Sequence, residues 1–475
     1  MRAARSCRGL AGAALALAAA GCALQRPPDA ADLQKDALQH TTLPAAWKNA
    51  GGTPQLVVDG WLASFDDPQL SALVAEALVY NADLRAAAAV VEQANGYLKV
   101  ASAPLLPTVG LRGLWSGASS SDASGINGIF LHASLELDIW GRVRYGAAAA
   151  REQSAAAEAD FAYARQSLAA TVAKAWFLAI ETGLQRQIAL DLLRSSEDLH
   201  RIAFDRLRVG SGNEQSVAVA SANVNSYRDT LRQIDFSHDQ ALRALELLLG
   251  RYPAAEVAVA PALDRVPPPP PVGLPSQLLE RRPDVFAAER RVAAAFNRVG
   301  EARAAQLPRI ALTAGGSSIS SDVFVLKDRN NPVWGFGANL FAPLFQGGAL
   351  KAQVEIRNAE QKQAVAAYAS AGLRAFNEVE GALSAENTLR DRAVILDASV
   401  RDNKRALELT QIQFRVGSVD LQAVEQRQLT LYSSRMARLR VQTEQLAQRV
   451  NLHLALGGSF EVPPAAPAGA ASGAS

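Results

Sequence analysis

The sequence predicts a mixed α and β membrane protein built from a duplicated unit, in which a pair of short strands is joined to very long helices. Three observations carry this expectation. Apolar residues alternate strictly with polar or small ones at 131–139 and again at 334–340, the period of a strand with one greasy and one wet face. Each alternating segment leads into an almost unbroken helical pattern, from about 145 to 208 and from about 350 to 415. The two halves also share their words. Arg208-Val209-Gly210-Ser211 returns as Arg415-Val416-Gly417-Ser418, and Leu249-Gly250 returns as Leu456-Gly457, both 207 residues apart. A duplication of this size governs the fold more than any single motif does.

Residues 1–21 read as a secretion signal, with Arg2, Arg5 and Arg8 as its charged region and Leu10 to Ala20 as its apolar region. The stretch Leu17-Ala18-Ala19-Ala20-Gly21-Cys22 resembles a lipobox, with Ala19 where leucine is usual, and predicts lipidation at Cys22. The alternative is an ordinary signal with a chance cysteine. Cys7 is the only other cysteine and lies inside the signal, so no disulfide or thiolate chemistry is expected of the mature chain. Ala23 stands where aspartate would favour retention at the inner membrane. Losing the signal removes three arginines and no acid, so the formal charge falls from +2 to 2 − 3 = −1. Such a balance carries no footprint for nucleic acid.

Residues 22–60 are rich in Pro, Gly and polar residues and are expected to form an extended, lipid-anchored tether. The first repeat is expected over 61–250. Asp67-Pro68 suits a helix N-terminus, and the helical pattern runs to about Ala103, where Pro104 and Pro107 stop it. Strands are expected near 107–117 and 129–140, joined by a polar loop, and long helices over 145–208 and 214–249. A helix of roughly 64 residues would be on the order of 95 Å long. Such a helix is stable only when packed along its length, and the alanine content permits close approach. Residues 251–283 form a proline-rich linker with five consecutive prolines from Pro267. The second repeat, 284–457, returns strands near 309–319 and 333–344 and helices at 350–415 and 420–456; 458–475 is expected to be a disordered tail.

No helical stretch is apolar enough to cross a membrane, but strands of about ten residues match a tilted membrane-spanning strand. Alternation alone is equally consistent with a half-exposed soluble sheet; the signal, the lipobox and the long helices favour the membrane. Four strands cannot close a barrel. Two copies would supply eight strands, which their own side chains would fill, and three would supply twelve, wide enough for a channel.

Several motifs are specific. Leu274-Pro275-Ser276 and Leu279-Glu280-Arg281-Arg282-Pro283-Asp284-Val285 follow the linker. Asp138-Ile139-Trp140-Gly141-Arg142 and Pro343-Leu344-Phe345-Gln346-Gly347-Gly348 stand at the strand-to-helix junctions. Trp61, Phe65, Asp67-Pro68, Leu70 and Asn81-Ala82-Asp83-Leu84 open the first repeat. Over residues 45–458 these resemble the outer-membrane factor (TolC-like) family, in its efflux lipoprotein branch. The resemblance implies a homotrimer in which one 12-stranded outer-membrane β-barrel continues into a long periplasmic α-helical barrel. It implies a passive exit duct for drugs or other small toxic compounds. Its partners would be a periplasmic membrane-fusion adaptor, an inner-membrane proton-driven pump of the RND type, and outer-membrane lipid.

The same resemblance makes Val209, Gly210, Ser211, Val416, Gly417 and Ser418 the tips where the adaptor docks; read alone, these are turns joining antiparallel helices. Family members carry an acidic ring past the second tip, often within Leu-Asp-Ala-Gln-Arg; here Gln426 occupies that aspartate's place, leaving Asp420 and Glu425 as entrance candidates. Helix-face solvation is the plainer account of both. Arg112, His132, Glu136 and Asp138 fall on the polar side of the first strand pair and are expected to line the barrel lumen. A metal or acid–base cluster among them lacks ligand spacing. No nucleotide-loop or catalytic motif occurs, so neither a cofactor nor an enzyme is expected. The competing readings are the channel of a type I protein secretion system, which uses the same duct, and a periplasmic coiled-coil lipoprotein, which leaves the strands unexplained.

Overall fold

The computed structural model describes residues 24–49, 56–114, 126–321 and 333–461. Cys22, Trp115 and the tail from residue 462 lie outside them. The helices are α1 (Ala30–Ala37), α2 (Pro68–Tyr80), α3 (Ala82–Ser102), α4 (Arg142–Arg208), α5 (Glu214–Leu249), α6 (Pro275–Arg281), α7 (Pro283–Ala304), α8 (Ala349–Arg415) and α9 (Leu421–Ala455). The strands are β1 (Thr108–Leu114), β2 (Ile126–Leu137), β3 (Arg309–Ser321) and β4 (Val333–Phe341). Helices α4 and α8 have 67 residues each. Among the described residues no helix is long and apolar enough to cross a membrane.

The chain forms two units. One comprises the described parts of 1–41, 89–160 and 284–371; the other comprises those of 42–88, 161–283 and 372–475.

In the first unit the four strands make one antiparallel sheet in the order β1-β2-β3-β4. The register sorts the side chains. Val109, Ala133, Ala314 and Phe336 form one cross-strand row, and Leu111, Leu131, Gly316 and Trp334 form the next. Directly paired residues share a face, so this face is apolar across every strand; Phe336 is 90% exposed on it. The other face carries Arg112, His132, Ser134, Glu136, Thr313, Gly335 and Asn339. The two repeats therefore supply adjacent halves of one sheet.

In the second unit the core centres on Trp176, Phe177, Ile180, Leu245, Leu249, Leu446 and Val450. Trp176 is fully buried, and its indole N–H donates to the Asp67 carboxylate at 2.7 Å. Asp67 also caps α2 by accepting from the Leu70 amide at 2.9 Å, which ties the helix start to the core. Arg449 and Arg282 are buried. Arg449 donates to the Glu386 carboxylate and to the Pro267 carbonyl, so the polyproline run is held by a charged anchor. Arg282 donates to Glu378 at 2.6 Å and to the Ala455 carbonyl at 3.1 Å. His453 stacks on Trp61 with centroids 5.8 Å apart; burial, then the Arg449 charge, lowers its pKa to about 4.

Several expectations need correction. The helix expected from Pro68 to Ala103 breaks at Asn81, whose side chain accepts from the Leu84 amide at 2.9 Å and donates to the Leu248 carbonyl at 2.9 Å. The tether is not wholly extended: Asp29 caps α1 through the Asp32 amide at 2.8 Å, and Leu33 is buried. Trp47 is buried too, with its indole N–H on the Val272 carbonyl at 3.0 Å. The tail does not start loose at 458, because the Ser459 carbonyl accepts from the Gly60 amide at 2.8 Å and Phe460 joins the core. Strand β2 ends at Leu137 rather than 140, and α4 starts at Arg142 rather than 145.

Candidate functional site: hairpin tips and strand-to-helix junction

The two hairpin turns have one geometry. Gly210 and Gly417 sit at φ of +70° and +79°, left-handed values that glycine adopts without a Cβ penalty. The Ser211 amide donates to the Arg206 carbonyl at 2.9 Å, and the Ser418 amide to the Gln413 carbonyl at 2.9 Å. The glycine amides donate to the Leu207 and Phe414 carbonyls. This six-to-one and five-to-two pairing satisfies carbonyls that the helix end would orphan. The returning helices are capped by Asn213, accepting from Ser216 at 2.8 Å, and by Asp420, accepting from Ala423 at 2.9 Å. Val209 and Val416 project at 71% and 75% exposure. The hairpins lie side by side: the Arg206 guanidinium sits 4.3 Å from the Phe414 ring centroid, above a small core of Leu199, Ala220, Leu421 and Val424. All six tip residues thus fall on one end of the helix bundle.

Just inside the tips, the Glu425 carboxyl is buried against α5, where Asn223 donates to one oxygen at 2.8 Å and the other oxygen lacks a partner. Burial raises its pKa, the Asn223 hydrogen bond lowers it and the Asp420 charge raises it further; the net shift is upward. Nearby Gln428 donates to the Ser195 hydroxyl at 2.5 Å.

In the first unit, Asp138 lies past the end of β2. Its carboxylate accepts from the Val143 and Arg144 amides at 3.0 and 2.8 Å, placing negative charge at the start of α4, where the orphan amides and the helix dipole favour it. Glu136, on the polar face, holds Arg142 in a two-pronged ion pair at 3.0 and 2.8 Å. Gly141, at φ +78°, makes the bend between them.

The family described as outer membrane efflux protein matches residues 73–251 and 274–458, one segment in each repeat. The chain belongs to that family. This efflux protein is 31% identical to the cation efflux system protein CusC of Escherichia coli O6:H1, over 94% of this chain and 98% of CusC. It is 32% identical to the pyoverdine export outer membrane protein OpmQ of Pseudomonas aeruginosa, over 88% of this chain and 91% of OpmQ. Its fold matches the open-state MtrE outer membrane channel of Neisseria gonorrhoeae with a TM-score of 0.78 at 28% identity, over 92% of this chain and 98% of MtrE. It is therefore an outer-membrane channel component of an efflux system, with a periplasmic extension.

Two placements in the efflux protein differ from expectation. Asp138 does not line the polar sheet face: it lies beyond the strand, and its oxygens are consumed by the α4 terminus. Glu425 does not project into water within the subunit, because the 3.6-residue period of α9 turns it toward Asn223, whereas Gln426 next to it is exposed. Arg112 and His132 do share the polar face and are exposed there, with the His132 ring lying over Gly110. Among the described residues no group of His, Cys, Asp and Glu could hold a metal ion. Sequence reasoning missed Asn223, Arg206 and Phe414. An i, i+3/i+4 apolar reading of α5 would have placed Ala220, Val224 and Tyr227 on the buried stripe, with Asn223 between them.

Proposed function

We propose that the chain works as a homotrimeric exit duct. Three copies of the four-stranded sheet join edge to edge as one twelve-stranded outer-membrane barrel, which continues into a periplasmic tube of long helices. Cys22 carries the lipid that anchors each copy. Drugs or other small toxic compounds enter from an inner-membrane proton-driven transporter of the RND type, through a periplasmic adaptor that docks at Val209-Gly210-Ser211 and Val416-Gly417-Ser418. Arg112, His132 and Glu136 face the barrel lumen, and Asp420 and Gln426 lie at the periplasmic entrance.

One observation carries this reading. The sheet is apolar across all four strands on one face, while its edge strands β1 and β4 each pair on one side only among the described residues. Unpaired edges are not tolerated in hydrocarbon, so copies must supply one another's edges. The cargo assignment has separate support. Relatives similar along nearly the whole chain are named for exports as unlike as cations and pyoverdine, which favours walls that do not select.

The test is the mass of the purified chain in detergent, combined with single-channel conductance in planar bilayers. A trimer that conducts, in small flickering steps if its entrance rests closed or large steady ones if open, supports the duct. A non-trimeric, non-conducting protein overturns it.

A further inference from the structure

We propose that a cavity at the strand-to-helix junction is a seat for the phosphate group of an inner-leaflet phospholipid, with Arg303 as its anchor. This rests on the reading that the strands span the outer membrane. The cavity has a volume of about 310 Å³ and lies wholly within the first unit, lined by Leu24, Trp140, Tyr145, Arg303, Leu307 and Gln361 among others.

Depth is the first argument. The helix-side end of every strand carries an exposed large apolar residue: Leu106 before β1, Trp140 after β2, Leu307 before β3, and Leu344 with Phe345 after β4. Membrane barrels carry such girdles, rich in aromatic residues, where acyl chains give way to headgroups. The cavity opens at that level, since Trp140 and Leu307 belong both to its wall and to the girdle.

The second argument is chemical. Arg303 is exposed and has no ion-pair or side-chain hydrogen-bond partner among the described residues. Arg142, Arg144, Arg290 and Arg291 of the same unit are paired, and of the unit's unpaired arginines, which include Arg112, Arg151 and Arg298, Arg303 is the one that lines this cavity. Its planar guanidinium suits two-pronged contact with phosphate oxygens. Tyr145 accepts the Gln25 amide at 2.9 Å, which leaves its own hydroxyl proton to donate, and Gln361 offers an amide. Leu24 and Leu307 supply an apolar wall beside these donors. Phosphate donors next to aliphatic surface fit an amphiphile better than a free ion.

The third argument is construction. A Cβ at Gly300 would collide with the Tyr145 ring at 2.6 Å, and one at Gly141 with Leu24 at 2.7 Å. Two glycines therefore let the aromatic wall and the N-terminal segment close around the space.

The experiment is native mass spectrometry of the full lipidated protein in detergent with added dioleoylphosphatidylglycerol, comparing the natural chain with Arg303→Ala and Arg303→Lys. The expected result is one phospholipid retained per chain, with affinity about tenfold weaker in Arg303→Ala and intermediate in Arg303→Lys. Equal retention in all three proteins overturns the seat. So does equal retention of dioleoylglycerol, which lacks phosphate. If inorganic phosphate alone binds with the same dependence on Arg303 and no phospholipid is retained, the site serves free phosphate and the lipid assignment falls. Trimer mass and conductance are read on the same preparation. Their loss in the natural chain sinks the duct reading, whereas an intact channel without Arg303-dependent lipid sinks only the seat.

Discussion

The side-chain amide of Asn223 donates to the Glu425 carboxylate at 2.8 Å, so an acidic group just over one turn into α9 is held between two helices of one subunit. Burial raises its pKa above the ordinary value of 4.5, with Asp420 adding to the rise and the Asn223 hydrogen bond opposing it. The folded chain therefore binds this proton more tightly than the unfolded chain. The stability linked to it is complete below the ordinary value and declines as pH climbs from there through the raised one. Glu425→Gln removes that decline and keeps the contact with Asn223. Thermal unfolding followed by circular dichroism in detergent should show no difference between variant and natural chain near pH 4. At pH 8 the variant should be more stable by an amount on the order of 1 kcal/mol. Parallel pH profiles for the two proteins would contradict this.

The tips allow a separation of assembly from coupling. At Gly210 and Gly417 an added Cβ would meet nothing within 4 Å, yet both backbones are left-handed. A double Gly210→Val, Gly417→Val chain should strain each turn by roughly 1–2 kcal/mol and reshape only the hairpin ends. Trimers should assemble normally, while drug resistance in a strain carrying the partner proteins falls to that of a strain without the channel. Undiminished resistance would remove the tips from the docking surface.

The register of the sheet predicts opposite tolerance at adjacent positions. Phe336 lies on the apolar face; Gly335 lies on the polar face with open space above it. Phe336→Arg should lower the amount of folded trimer in outer membranes, by up to about 2–4 kcal/mol if the site lies at mid-bilayer. Gly335→Arg should assemble and reduce conductance. Equal yields from both would show that the apolar face does not meet lipid.

Much of this was legible in the chain. The helices α4 and α8 announce themselves because helical propensity and apolar spacing are local and persist over 67 residues. Val209-Gly210-Ser211 and Val416-Gly417-Ser418 announce turns because few residues but glycine tolerate that φ. The alternation in β2 and β4 identifies two faces for the same reason, since successive side chains must point to opposite sides. Element ends were less legible. Asp138 looks like one more polar strand residue until the amides of α4 are seen to need it, and Asn81 looks helical until it caps α3 and reaches Leu248.

The sequence by itself determined the duplication, the order of strands and helices, the two-faced sheet and the family, because each is written in local periodicity or contiguous words. Only the tertiary structure decided that Glu425 meets Asn223, that Arg449 holds the proline run, and that Arg303 stands unpaired beside Trp140 and Tyr145. The physical reason is separation along the chain. Glu425 and Asn223 are 202 residues apart, and Arg449 and Pro267 are 182 apart. No local pattern specifies which helix face or which linker carbonyl a distant side chain will find; packing does.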